Sequence, residues 1–487
     1  MKQFSLIVAR NSALGLAAQL AIKLLSFSFS VLIVRSLGTQ AYGQYAAVLA
    51  FGGLFVFLSD LGLSPYTVRE VARWRDTPGG AERIRALYGN VLLLRILLSL
   101  LAAALLVTTA WLTGRPIVMV IAIALGALGL IMYSVQGASE AMLSGFERLD
   151  LVAGVRVLYQ IVFVFVGAAL LWAGLGYYGL IFANLLGIAL ITRVCWKAAR
   201  HQGLLPGVAA VREWPALLRA SIPFGLIGFT LGLSYKFDSV LLNLFRGDAE
   251  TGYYNAAYNL VFSTVVLSNV INTSLYPSLA RQAASAPQSL TPIYERALRY
   301  LLALALPIAV GACALADQIV PFLFTAAYTP AVPALQVVIW VVPLMFASEF
   351  LGYVVVIGGA ERAAARAVIA STSFNVAINI LVVPGYGFLG AAVMTVLTES
   401  VLVGLYIWML RTKMRQVNWK HTLVLPLLAA LLMGGLALVL RDLPLVLDVA
   451  LSGVAYLGFL VLLGVIGRDE LRFVRGLRRR VEGAVVP

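Results

Sequence analysis

The stretch VRSLGTQAYGQYAAVLAF, Val34 to Phe51, returns as FRGDAETGYYNAAYNLVF from Phe245 to Phe262. Each copy carries an arginine, a short polar turn, a glycine–tyrosine cluster and the small-residue start of an apolar run. Two further echoes follow in the same order at an interval of about 211 residues. SGFERLD (144–150) is answered by GGAERAA (358–364), and GLGYYGLIFANLLG (174–187) by GYGFLGAAVMTVL (385–397). One such match would be weak; three in the same order at nearly one offset predict an internal duplication.

What is duplicated is membrane helix. Of 487 residues, 61% are hydrophobic and 12% charged, against about 25% charged in a soluble domain. The chain lacks the polar surface to cover itself. Apolar runs long enough to cross a hydrocarbon core, which takes about 20 helical residues, recur from end to end. They predict fourteen spans near 9–34, 41–65, 87–111, 116–141, 151–173, 176–196, 217–243, 252–275, 297–316, 333–356, 363–383, 387–410, 421–440 and 444–467. The first has no small-residue cleavage site behind it and reads as a retained helix rather than a signal peptide.

Six spans, an even number, separate equivalent positions, so the two copies cross the membrane in the same direction. The expected architecture is an all-α integral membrane protein of two lobes: two parallel six-helix bundles plus two extra C-terminal helices. Residues 1–200 form the first lobe, 201–415 the second, and 416–487 the last two spans with a basic tail. The segment HQGLLPGVAAVREWP within 197–216 is the expected linker. Parallel lobes suit alternating access around a central cavity.

A net charge of +15 would suggest nucleic acid in a soluble protein, but its distribution argues for topology. With a cytoplasmic N-terminus, 28 lysines and arginines fall on the inner side, 4 outside and 4 within spans. That skew is the positive-inside pattern for two cytoplasmic termini, with anionic lipid heads as partners. Nucleic acid is not expected as a partner. Cys195 and Cys313 fall on opposite sides in this topology, so no disulfide is expected. His201 and His421 assemble no metal site, and no GxxxxGK[ST] loop exists for a nucleotide.

The charges inside the spans are therefore the candidates for chemistry, since each costs a few kcal/mol unless it faces protein or water. Lys23, Arg95 and Arg156 lie in the first lobe, with Asp60 near the end of the second span. Lys236, Asp238, Glu349 and Glu399 lie in the second, and Asp60, Asp238, Glu349 and Glu399 are the candidates for gating or ion coupling. Lys236 and Asp238 are two apart on a helix and do not share a face. The cations outnumber the carboxylate in the first lobe, which suits an anionic ligand held there with Lys236 opposite. Snorkelling to lipid heads competes as an account of Arg95 and Arg156. Asp60 equally suits a salt bridge that holds or gates its lobe, while Glu140, Arg69 and Glu70 read as interfacial. Tyr254, Asn255 and Tyr258 open the eighth span with groups suited to a sugar-bearing head, and Asn11, Ser12, Gln19, Tyr276 and Pro277 enrich the same surface. Helix-to-helix contacts compete for each of these. Pro223, Pro307 and Pro343 loosen helices that must bend.

FLSDLGLSPYTVREVAR (57–73), LGTQAYGQYAAVLAF (37–51) and YKFDSVLLNLFRGDAETGYYNAAY (235–258) resemble the oligosaccharide and polysaccharide flippases, O-antigen or Wzx-type, of the MOP exporter superfamily. The resemblance covers essentially the whole chain. It implies movement of a polyprenyl-(pyro)phosphate-linked oligosaccharide to the outer leaflet of the cell membrane, for surface polysaccharide assembly. It further implies a cationic cavity for the head group, and family carboxylate and charged positions at Asp60, Lys236 and Asp238. Coupling to a sodium or proton gradient is known among relatives; the residues here name no ion. The expected partners are the lipid-linked glycan, membrane lipids and other polysaccharide-assembly proteins. The chain is expected to be no enzyme and to hold no cofactor. A peptidoglycan-precursor flippase, a MATE-like ion-coupled exporter and a membrane glycan polymerase or ligase are the competing readings.

Overall fold

The computed structural model describes residues 2–285 and 290–465, residues 2–21 by backbone alone. The expectations placed on Asn11, Ser12 and Gln19, on the side chains of Tyr276 and Pro277, and on the tail arginines beyond 465 lie outside the described residues.

Every described element is helical. In chain order these are α1 (Lys2–Asp60), α2 (Leu63–Trp74), α3 (Gly80–Leu112), α4 (Ile117–Gly145), α5 (Leu149–Trp172), α6 (Gly176–His201), α7 (Trp214–Phe245) and α8 (Asp248–Ser285). Then follow α9 (Leu290–Ala314), α10 (Ala316–Leu323), α11 (Val332–Val338), α12 (Val341–Ile357), α13 (Glu361–Met409), α14 (Arg411–Met414), α15 (Leu425–Val439) and α16 (Leu445–Leu462). Among the described residues nine helices are long and apolar enough to cross a membrane, or eleven if each bent pair is one span. Large apolar side chains are exposed along them, with Trp111 and Trp172 at helix ends, where aromatic rings favour the interface with head groups. The protein is a multi-pass membrane protein.

The duplication is written into the backbone. Residues with left-handed φ stand at equivalent turns: Gly38 and Gly247, Glu147 and Gly359, Gly176 and Gly387. Gly38 and Gly387 break α1 and α13 into two helices each, so the two long helices hold four apolar segments. Where the sequence predicts one span from 333 to 356, the chain instead bends by 41° between α11 and α12. The basic stretch REVARWRDTPGGAERIR (69–85), which follows the second expected span, is largely the end of α2 and the start of α3. At the Glu147 turn Arg148 donates to Asp150 at 3.1 Å.

Contacts divide the chain into two compact units: residues 1–256 with 368–391, and residues 257–367 with 392–487. In the first, a core of Leu63, Val71, Tyr88, Leu94 and Met142 joins α2, α3 and α4. The expected linker is pinned to this core. Gly207 N donates to Arg85 O at 2.7 Å, and Asn90 accepts from Ala210 N at 2.7 Å and Trp214 Nε1 at 3.1 Å while donating to Glu213. Buried backbone polar groups need such partners, and Asn90 supplies both a donor and an acceptor. In the second unit α9 packs on α12, α15 and α16, and Tyr456 of α16 donates to Ala303 O at 2.6 Å.

Candidate functional site

The second half of α1 ends at Asp60, and Leu61 and Gly62 both take left-handed φ before α2 begins. That turn aims the Asp60 carboxylate back at α2, where it accepts from Ser64 N at 3.2 Å and Ser64 Oγ at 2.7 Å. Arg95, in the middle of α3, reaches the same carboxylate with Nη1 at 2.7 Å while only 1% exposed, and also touches Ser64. Its guanidinium lies flat on α4 because residue 137 is glycine: a Cβ there would stand 2.5 Å from Arg95 Nη2. One helical turn on, Glu140 accepts from Arg156 of α5 at 2.5 Å and from Gln136.

These groups line one cavity of about 330 Å³ with Tyr133 and Ser144. Two arginines and two carboxylates face it. Arg95 is committed to an internal pair, whereas the Arg156 side chain is 71% exposed. The arrangement can exchange partners: an incoming anion takes the guanidinium of Arg156 from Glu140 without breaking the buried pair. Charge-assisted, forked contacts of this kind suit phosphate as well as carboxylate.

Here the structure corrects the sequence. The cavity is balanced in charge, because Glu140, set aside as interfacial, is a wall residue. Its spacing from Gln136 and Tyr133 on α4 was the missed signal, since residues three and four apart share a helix face. Lys23 is exposed on α1 and, among the described residues, neither it nor Lys236 makes an ion pair. The methylenes of Lys236 lie over Gly53 of α1, where a Cβ would stand 3.2 Å from its Cγ.

A second polar cluster lies in the same unit. Asp238 of α7 is 3% exposed and accepts from Tyr254 Oη at 3.0 Å and Asn379 Nδ2 at 2.9 Å. Tyr254 is 1% exposed, so it braces Asp238 and is not open to a ligand, contrary to the expectation. Asn255 accepts from Ser239 at 3.1 Å and donates to Thr251 O at 2.9 Å, again a brace. In the second unit Tyr258 packs on Phe262 with ring centroids 4.5 Å apart, and Glu349 and Glu399 take hydrogen bonds from Ser268 and Ser348. Among the described residues no three His, Cys, Asp or Glu converge as metal ligands.

The second half of α1 is also crossed at both ends within the first unit. A Cβ on Gly43 would overlap the carbonyl of Asp248, and one on Gly252 that of Thr39. At the other end a Cβ on Gly62 would overlap the backbone of Ser221 and Gly225. Between the crossings lies a cavity of about 300 Å³ lined by Gly53, Asp60, Gly228 and Phe229.

A substitution at the arginine shelf gives a direct check. Gly137→Ala should lift Arg95 off α4 and cost about 1–3 kcal/mol, the usual range for overpacking. Thermal unfolding of the purified protein measures it; an unchanged midpoint would mean that Arg95 does not rest on residue 137.

The model of the family described as polysaccharide biosynthesis protein matches residues 8–282. A probable low-salt glycan biosynthesis flippase, Agl15 of Haloferax volcanii, is 21% identical over 395 residues, covering 77% of this chain and 78% of that protein. An uncharacterized membrane protein of Methanocaldococcus jannaschii is 26% identical over 266 residues, covering 52% of this chain and 51% of that one. Among solved structures, the lipid II flippase MurJ in an inward closed conformation superposes with a TM-score of 0.78 at 15% identity, over 94% of this chain and 100% of that one. An inward-facing MATE family transporter of the MOP superfamily gives 0.57 at 14% identity, over 82% and 96%. At such identities the likeness shows the fold, which is that of the MOP transporters. The chain belongs to the polysaccharide biosynthesis protein family.

Proposed function

We propose that the protein is a flippase that carries a polyprenyl-(pyro)phosphate-linked oligosaccharide from the cytoplasmic to the outer leaflet of the cell membrane, without covalent chemistry. Family membership supports a role in polysaccharide assembly, and the glycan-flippase relative supports the substrate class. The observation that carries the reading is the cavity in which Arg156 stands exposed beside the Asp60–Arg95 pair. An arginine that can trade Glu140 for a phosphate oxygen offers the head group a partner within the span, lowering the cost of taking its charge out of water. The second half of α1 rests on the start of α8 at Gly43 and on α7 at Gly62, contacts that an occluded step of alternating access would use.

In this reading α1 and α13 each supply two spans and α8 supplies one, which brings the eleven to fourteen. Residues 1–200 and 201–415 act as the moving lobes, 416–487 stands outside them, and both termini are cytoplasmic. Asp238, held by Tyr254 and Asn379, is the group whose oxygens suit a coupling sodium ion or proton.

Reconstitution into liposomes tests this. Lipid-linked oligosaccharide should exchange between leaflets faster than in protein-free vesicles, and Arg156→Ala should reduce that exchange severalfold. Exchange of lipid II in place of the oligosaccharide would move the substrate to peptidoglycan precursors. Absence of exchange with either lipid would end the flippase reading.

A further inference from the structure

The second unit holds two carboxyl groups within apolar helices, Glu349 on α12 and Glu399 on α13. Among the described residues neither forms an ion pair. Their partners are neutral. Ser268 Oγ of α8 donates to Glu349 Oε2 at 2.6 Å, and Asn272 Nδ2, one turn along, donates to the same oxygen at 3.3 Å. Ser348, next to Glu349 in the chain, donates to Glu399, which sets the two carboxyls against one turn of α12. Tyr406 of α13 brings its hydroxyl against Gly352 of α12, and Tyr353 follows Glu349 by one turn on α12. Helix α9, which also packs on α12, carries Tyr294, Glu295, Arg296 and Arg299, and among the described residues no lysine or arginine of any helix stands in an ion pair with either carboxyl.

The orphan atom is on Asn272. Its side chain is 2% exposed, its amide nitrogen serves Ser268 and Glu349, and its Oδ1 is buried without a hydrogen-bond partner. A buried acceptor left unmade costs about 1–3 kcal/mol. An ionised Glu349 offers it nothing, because a carboxylate only accepts. A protonated Glu349 offers one O–H, and carboxamide and carboxylic acid then close a ring of two hydrogen bonds. Turning the amide over gives the same result: Oδ1 would face Oε2, two acceptors in contact unless one oxygen carries a proton. Two ionised carboxylates set against one turn of α12, neither of them in an ion pair, would also repel.

We propose that Glu349 carries a proton, which it donates to Asn272 Oδ1, and that this acid is a proton-binding site of the second unit. Release and rebinding of the proton during transport rest on the flippase reading; its presence in the resting protein does not.

Infrared spectroscopy of the purified full-length protein in lipid nanodiscs separates the two. At neutral pH a carboxylic-acid C=O band that shifts in D₂O is expected. Glu349→Gln should remove it and Glu399→Gln should keep it. Glutamine at 349 can still donate to Asn272 Oδ1, so that variant should fold, and Asn272→Leu should shift the band by removing its acceptor. No acid band, or a band lost only in Glu399→Gln, overturns the proposal. So does a band bleached by adding sodium chloride at constant pH, which would make the cluster a cation site. In the liposome assay Glu349→Gln should still flip substrate but lose any acceleration by a proton gradient. If no substrate is flipped while the band behaves as expected, the flippase reading fails and the proton site stands.

Discussion

Asp60→Ala should destabilise the first unit by about 3–5 kcal/mol, the cost of stranding one partner of a buried ion pair. Arg95 is 1% exposed and has Asp60 as its anionic partner at 2.7 Å; Ser64 alone cannot replace the charge. Thermal unfolding of the purified protein should show the loss, and the liposome assay should show transport abolished. Asp60→Leu combined with Arg95→Leu should recover most of the stability, because a buried pair is often matched by apolar residues of similar volume. It should not recover transport. Arg156→Ala is the contrast. Its pair with Glu140 is solvated on the arginine side, and such pairs contribute about 0–1 kcal/mol. That variant should keep its unfolding midpoint while its exchange rate falls severalfold. A double variant as unstable as Asp60→Ala would mean the pair is not what holds α1, α2 and α3 together there.

Much of this was legible in the residues. Apolar length and the repeat are properties of composition and order, so the helical membrane class and the turns at Gly38 and Gly387 followed from the chain alone. What one-dimensional reading lost was facing. Glu140 lies five residues from the end of α4, which made it look interfacial, yet the helix is long enough to turn it against Arg156. Tyr254 has the polar character of a ligand contact, but only the fold shows its hydroxyl consumed by Asp238. Asp60 and Arg95 are 35 residues apart, and their partnership depends on the Leu61–Gly62 turn, a backbone shape that no periodicity announces. The linker is a related case: the sequence marks where it runs, but only the fold shows that Asn90 and Arg85 give its backbone partners on the protein.

Gly62→Ala should open the crossing at the Asp60 end of α1. Gly62 has φ 79°, and an L-residue in that conformation costs about 1–2 kcal/mol. Its new methyl would also press on the backbone of Ser221 and Gly225, which cannot turn aside as a side chain can. The φ cost stays in either state, but the clash is relieved only if the turn draws away from α7. A relief of one or two kcal/mol raises the open population about 5–30-fold. Leu54 lines the cavity behind the crossing, so a cysteine there reports the opening. In a background with Cys195 and Cys313 replaced, the rate at which a membrane-impermeant thiol reagent modifies Leu54→Cys should rise by that factor when Gly62→Ala is added. Gly225→Ala should act alike, its Cβ standing 2.6 Å from Leu61 C. Because both press on one contact, the combined variant should fall short of the product of the two effects. Unchanged reactivity in both single variants would show that this crossing does not close the cavity, and the occluded step would need another barrier.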